Sequence, residues 1–322
     1  MSKPKELPKK QQVPQPNLSK EMNSIVLSLF PLVALIASGY LFKKYRFFSD
    51  EFWAGAEKLN YYILFPALLF STLSTAKIDL QSLSTAIIAM LIVVLAVTIF
   101  LYILRVFWHI PPARFGVHVQ SMVRFNTYIG LALVTSLFKS EGMAILAILL
   151  ALCIPLVNVI SVLALTSKEH MAIKPVLIAL LKNPLIASCV VGAAVNALHV
   201  PIWEGFSNFI KLFSASSLPL GLLCVGAALQ FMQIKKDIVV LAADTFVRLL
   251  AVPALAYVVC MWFGLPSLQT QILVIFFALP TASASYILTK VLGGDSQLMA
   301  AVISFQTLCA AVTLPMVIWW IS

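Results

Sequence analysis

Two polar stretches interrupt long apolar runs, and their residue types suit the binding of an anion. They are Arg124-Phe125-Asn126-Thr127-Tyr128-Ile129-Gly130 and Leu279-Pro280-Thr281-Ala282-Ser283-Ala284-Ser285-Tyr286. Pro280 lacks a backbone donor and its ring clashes with the preceding turn, so a helix is expected to open there. Irregular backbone at bilayer depth is tolerated only where it is buried in protein or faces water. The small residues after Pro280 suit the lining of such a space. Asn126, with backbone N–H groups freed at a half-helix N-terminus, would hold a carboxylate, because the helix dipole favours negative charge there. Thr127 stands beside it, and Thr281, Ser283 and Ser285 offer hydroxyls from the second stretch. Gly130 and Pro280 create the opening. The bland alternative is that these polar groups are glue between membrane helices.

Three of the charged residues within apolar runs bear on function. An intramembrane charge costs about 3 kcal/mol or more at mid-bilayer, so Arg124, just before the first interruption, calls for a role. It attracts an anionic substrate, or it snorkels to the interface. Asp244 and Arg248 are spaced i, i+4 and share a helical face. They read either as a mutually neutralising pair or as a coupling site in which Asp244 takes up a proton or a cation. Glu141 and Asp295 fall at the starts of apolar runs and are expected to be helix caps. Pro66 and Pro219 read as kinks.

Enzymatic chemistry has little support. His109, His118, His170 and His199 are scattered near the ends of apolar runs, and no acid, base or metal cluster converges. The five cysteines lie inside apolar runs without metal-ligand spacing, so neither disulfide, metal nor cofactor is expected.

The composition is that of a polytopic membrane protein: 61% apolar and 11% charged residues over 322 positions, with a mean hydropathy of +1.00. The net charge of +10 does not imply nucleic acid, because the cations sit in short loops, as membrane orientation requires. Residues 1–22, rich in Lys, Pro and Gln, are expected to form a disordered tail. Ten spans follow, at about 24–42, 53–73, 82–106, 114–137, 142–166, 174–198, 205–230, 238–263, 270–291 and 296–320. Lys43, Lys44, Arg46, Arg114, Lys168, Lys174, Lys235, Lys236 and Lys290 fall on one side, which is therefore cytoplasmic, and both termini lie outside the cytoplasm. The opposite loops carry little beyond Lys77 and Lys139; the basic tail disagrees with this orientation, and a start at Met22 removes the conflict. The expected location is the inner (plasma) membrane.

Punctuation repeats between the halves. Pro31, Gly39 and Pro66 are separated by 8 and 27 positions, as are Pro184, Gly192 and Pro219, at an offset of 153. At an offset of 154, Thr127 falls on Thr281 and Glu141 on Asp295. Five spans per half is an odd number, so the second half is inverted relative to the first. The expected fold is thus all-α: ten transmembrane helices as two inverted five-helix repeats. Such repeats with broken helices are a secondary-transporter architecture.

Several motifs carry a resemblance. Leu59-Asn60-Tyr61-Tyr62-Ile63-Leu64-Phe65-Pro66-Ala67-Leu68-Leu69-Phe70 resembles the second span of the auxin efflux carrier family. Asn183-Pro184-Leu185-Ile186, Ala215-Ser216-Ser217-Leu218-Pro219-Leu220 through Gly226-Ala227, and Ala278-Leu279-Pro280-Thr281-Ala282 match it in collinear order over about 22–321. The resemblance implies the fold of sodium–proton antiporters and bile-acid symporters, with broken helices four and nine crossing at mid-membrane. It implies scaffold segments at 23–73 and 174–230 and transport-domain segments at 82–166 and 238–320, working as an elevator. It also implies a homodimer in the lipid bilayer and a small organic anion as substrate, indole acetate or a dicarboxylate such as malate or malonate. Two departures matter. Gly130-Leu131-Ala132-Leu133 stands where the family often has Gly-Leu-Pro-Leu, and Ser283-Ala284-Ser285 where an Asn often follows Pro-Thr-Ala. The expected function is a secondary transporter of a carboxylate by alternating access, exporting it. A sodium- or proton-coupled symporter and a non-transporting receptor stay open beside it.

Overall fold

The computed structural model describes residues 18–76, 80–165, 183–231 and 237–322, and all regular structure among them is helical. Expectations placed on residues 1–17, Lys77, Lys168, His170, Lys174, Lys235 and Lys236 lie outside the described residues. The helices are α1 (Leu18–Lys44), α2 (Asp50–Leu59), α3 (Phe65–Thr75), α4 (Leu80–Trp108), α5 (Pro112–Val123), α6 (Thr127–Leu165) and α7 (Pro184–Ala197). Then come α8 (Glu204–Ala227), α9 (Ile238–Phe246), α10 (Val252–Trp262), α11 (Ser267–Ala278), α12 (Ala284–Val291) and α13 (Ser296–Ile321). α1 begins at Leu18, inside the stretch expected as tail. Leu18, Lys20, Glu21 and Met22 are good helix formers, and Pro16 lies just before them.

Five of these helical stretches are long and apolar enough to cross a membrane: Leu83–Trp108, Pro112–Leu165, Glu204–Ala227, Ile238–Trp262 and Ser296–Ile321. The second holds two interruptions, an extended segment at residues 124–126 and a non-helical Lys139 with φ of 55°. Its length therefore accommodates two of the expected spans. Large apolar side chains such as Ile99, Phe100, Phe107, Trp262 and Trp320 face outward, as a lipid-facing surface requires.

The ends of the helices follow their sequence signals. Asn183 caps α7, its Oδ1 accepting from the N–H of Leu185 at 2.9 Å, with Pro184 at the first helical position. Asp295 caps α13, accepting from Leu298 N–H at 3.0 Å, after Gly293 has closed α12 with a φ of 72°. Glu141 lies in the first turn after the Lys139 kink and is exposed, without a cap bond. Lys43 donates to Asp50 across the first turn between helices, and that bond holds the Asp50 carboxyl below its ordinary range.

Two helices widen into π turns, at Asn60–Leu64 and Val247–Ala251. In each the residue before a proline, Phe65 or Val252, donates to the carbonyl five positions back, Asn60 or Val247. Pro66 and Pro253 then enter the next helical turn, where their missing N–H costs little.

Helix contacts are set by glycines. A Cβ on Gly39 of α1 would stand 2.0 Å from the Leu223 carbonyl oxygen of α8, and one on Gly226 only 1.9 Å from that of Ile36. The two backbones touch, which is how small residues let membrane helices associate. Gly192 of α7 makes the corresponding approach to α3, its Cβ position 3.1 Å from the Phe70 carbonyl oxygen. Gly192 follows Gly39, and Leu223 follows Phe70, by the same 153 positions.

Gly226→Ala is expected to push α1 from α8 and cost about 1–3 kcal/mol, by analogy with overpacked cores. Gly55→Ala, where nothing lies within 4 Å of a new Cβ, is expected to be neutral or to stabilise by up to about 1 kcal/mol. Thermal unfolding of the detergent-solubilised protein separates the two; equal melting points would refute the close packing.

Candidate functional site

The two polar stretches are backbone breaks, and they meet. α5 ends at Val123, Arg124 is extended (φ −85°, ψ 148°), and α6 starts at Thr127. α11 ends at Ala278, Leu279 is extended (φ −65°, ψ 141°), and α12 starts at Ala284. The residue before a proline is biased to this extended region, which explains Leu279. Asn126 N–H donates to the Pro280 carbonyl at 2.8 Å, joining one break to the other. Thr281 N–H donates to Gln306 Oε1 of α13 at 3.0 Å, and its hydroxyl donates to the Gln120 carbonyl of α5 at 3.0 Å. Gly130 is needed for this approach, since a Cβ there would lie 2.6 Å from Leu279 Cδ1.

The half-helix C-termini share one donor. Arg248, fully buried in the second π turn, donates from Nε to the Leu279 carbonyl at 2.9 Å and from Nη1 to the Met122 carbonyl at 2.6 Å. Each helix end carries about half a negative charge, so a guanidinium between two of them is well placed. Arg248 does not pair with Asp244, contrary to one reading of their spacing. Its guanidinium is taken up by those two carbonyls. Asp244 instead meets His118 of α5, with Nδ1 to Oδ2 at 2.8 Å, and the Ser121 hydroxyl, which donates to the His118 carbonyl at 2.8 Å, lies 3.3 Å from the same carboxylate oxygen. His118 lies in the second turn of α5.

A cavity of about 1490 Å³ opens beside the breaks. Arg124, Phe125, Asn126, Thr127 and Tyr128 line it from the first break, and Ala282 and Ser283 from the second. Glu57, Lys58, Tyr61 and Tyr62 line it from α2 and the first π turn, Asn158 from α6, and Asn183 from the cap of α7. Pro112, Ala113 and Gly293 also border it, so it reaches from the breaks to the end of the molecule that holds Arg114.

The candidate residues divide by this cavity. Arg124, Asn126, Thr127 and Ser283 line it; Gly130, Pro280, Thr281 and Ser285 are packed behind it. Asp244 and Arg248 lie outside its lining. Asn126 Oδ1 caps α6, accepting from Ile129 N–H at 3.1 Å, while its Nδ2 has no partner. Arg124 bonds Gln120 Oε1 at 3.3 Å and has no acid partner among the described residues. Thr281 and Thr127, equivalent in the sequence repeat, differ in role: one bonds backbone, the other faces the cavity.

Sequence reasoning missed Gln120, Gln306, His118 and the Glu57–Tyr62 wall. Gln120 connects Arg124 with Thr289, donating to the Thr289 hydroxyl at 2.7 Å. A glutamine in each of two apolar runs was the available signal. The tyrosines were visible only as part of a motif.

A multi-span helical membrane protein whose interrupted helices meet at a cavity, with polar side chains set among apolar ones, has the build of a transport protein. The family model described as "Membrane transport protein" matches residues 24–318, and the chain belongs to that family, the auxin efflux carriers. No curated protein matches the chain.

Arg248→Lys keeps the charge but offers one nitrogen where two carbonyls converge. Its three donors radiate from a single point instead of a fixed fork, so the two bonds cannot both keep their geometry, at an expected cost of about 1–3 kcal/mol. A lower melting point in detergent checks this, and an unchanged one would contradict the shared-donor role.

Proposed function

We propose that this protein is a secondary carrier for a small organic anion, a carboxylate, working by alternating access. The observation that carries the reading is Arg124. Its guanidinium lines the cavity at the first break, bonded to an amide and to no carboxylate among the described residues. A cation held in a membrane interior without an acid is costly, and an incoming carboxylate relieves that cost. The N-terminus of α6 opens on the same space through Thr127 and Tyr128, and its dipole adds to the attraction. Asn126 Nδ2 and the Ser283 hydroxyl are neutral donors at hand.

The inverted repeat is part of this proposal. It is supported by the paired contacts Gly39–Leu223 and Gly192–Phe70, which share one displacement, and by a break in the fourth and ninth expected spans. The α1, α2, α3, α7 and α8 segments would form the scaffold and the remainder the moving unit. The cavity fits that division, because its walls come from both groups. Its extension toward the Arg114 end corresponds to a cytoplasm-facing state, given the basic loops on that side. The membrane would be the inner (plasma) membrane, with both termini outside and export as the direction.

Charge movement in proteoliposomes on a solid support tests the reading, with malonate, malate, succinate, pyruvate and indole acetate as probes; radiolabel uptake covers an electroneutral cycle. Arg124→Gln removes a charged hydrogen bond worth about 1.5–3 kcal/mol, so apparent affinity should fall at least about tenfold with the fold intact. Substrate-specific flux equal in wild type and Arg124→Gln would remove Arg124 from the site. Binding of a carboxylate without flux by either method would make the protein a receptor instead.

A further inference from the structure

Asp244 is a buried carboxylate that the cavity does not use. It sits at 12% side-chain exposure between α9 and α5, and its one ion-pair partner among the described residues is His118. Asp237 and Asp295 share a permanent cation. Arg114 Nη2 meets Asp237 at 2.5 Å, and Arg114 Nε meets Asp295 at 3.5 Å. Asp244 has a permanent cation four residues away, yet Arg248 is turned to two carbonyls and Asp244 faces an imidazole. Histidine is the side chain whose unperturbed titration lies closest to neutral pH.

We propose that His118, Asp244 and Ser121 form a proton site that couples anion movement to protons, an inference that rests on the carrier reading. The carboxylate–imidazole pair takes a proton from water to give carboxylate and imidazolium, and it returns that proton on the opposite side. No other bond is made or broken. His118 is the more exposed partner at 17%, so the imidazole is the entry point. The Ser121 hydroxyl donates to the His118 carbonyl at 2.8 Å and lies 3.3 Å from the same carboxylate oxygen that meets the imidazole, so it is a polar neighbour of both partners.

The surrounding groups leave this pair to be set by protons. On the elements packed around it the ionisable groups are Tyr102 and Arg105 of α4, Arg114 of α5 and Arg124 just after it, Tyr128, Lys139, Glu141 and Cys153 of α6, and Cys309 of α13. Asp237 precedes α9, Arg248 follows it, α12 carries Tyr286 and Lys290, and Asp295 precedes α13. Arg105 lies over the Phe115 ring at 4.7 Å, Arg114 is held by its two aspartates, and Arg124 lies on Gln120 in the cavity. The pair is also linked to the breaks. His118 and Ser121 flank Gln120, whose carbonyl accepts from Thr281 and whose amide oxygen holds Arg124.

The test uses the full chain in proteoliposomes, radiolabelled malonate, and protein-free vesicles as the control for passive entry. Two readouts are compared: malonate counterflow at equal pH, and malonate accumulation driven by an imposed pH gradient. With one proton carried per malonate dianion and the membrane potential clamped at zero by a potassium ionophore, wild type should accumulate malonate about tenfold per pH unit. Asp244→Asn and His118→Gln should keep counterflow within about twofold and lose the gradient-driven accumulation, the signature of an uncoupled carrier. Counterflow in wild type without gradient-driven accumulation overturns the proton site alone. Accumulation by either variant equal to wild type does the same. Loss of counterflow in a folded variant also overturns it, because the pair would then be part of the path rather than its coupling. No counterflow in wild type with malonate or the other carboxylates overturns the carrier reading itself, and the proton site falls with it.

Discussion

The structure depends on the guanidinium of Arg248 lying between the ends of two broken helices. Breaking a helix within a bilayer leaves carbonyls at one end and N–H groups at the other with no water to satisfy them. Here the carbonyls of Met122 and Leu279 share one side chain from a third helix. The charge is as useful as the hydrogen bonds, because two helix C-termini would otherwise bring like partial charges together. With that arrangement in place, the remaining backbone groups of the breaks can bond to one another. Asn126 N–H reaches Pro280, and Thr281 reaches Gln120 and Gln306.

The two breaks are made differently. The second has a proline, which forces Leu279 into an extended conformation and deprives the chain of one donor. The first has none. It is held by the capping of α6 through Asn126 Oδ1, by the bond of Asn126 to the other break, and by the space that Gly130 leaves for Leu279. A proline break is local and persists in any surroundings. A break made from long-range bonds depends on its partner, so the first is the more sensitive to movement of the second.

This difference also explains what could be read from the chain. The breaks were legible because Pro280, Gly130 and a run of small polar residues disrupt apolar periodicity. The glycine contacts were legible as punctuation at a constant offset, though not as backbone approaches until Gly39 and Gly192 had neighbours. Helix caps at Asn183 and Asp295 are local and follow from residue type. The partners of Arg248 were not legible, because main-chain carbonyls leave no mark in the sequence. The spacing of Asp244 and Arg248 pointed to a pair on a regular helix, but the carbonyls of Met122 and Leu279 take the guanidinium. The partner of His118 was not legible either, because nothing in an apolar run marks which neighbour a histidine will meet 126 positions later.

The cavity shows how sequence symmetry and site asymmetry coexist. Thr127 and Thr281 are equivalent in the repeat, yet Thr127 lines the cavity and Thr281 is consumed by backbone. The first break contributes a cation, an amide and a helix N-terminus, whereas the second contributes Ala282 and Ser283. The opposite wall has Glu57 beside Lys58, whose charges offset, and the tyrosines Tyr61 and Tyr62. Positive charge is therefore concentrated at one point, Arg124, rather than spread over the cavity. In the proposed carrier a single point of charge would orient a carboxylate and leave the rest of the ligand against aromatic and amide surface. Because Arg124 is tied to Gln120, and Gln120 to Thr289 and Thr281, whatever binds there acts on both breaks at once.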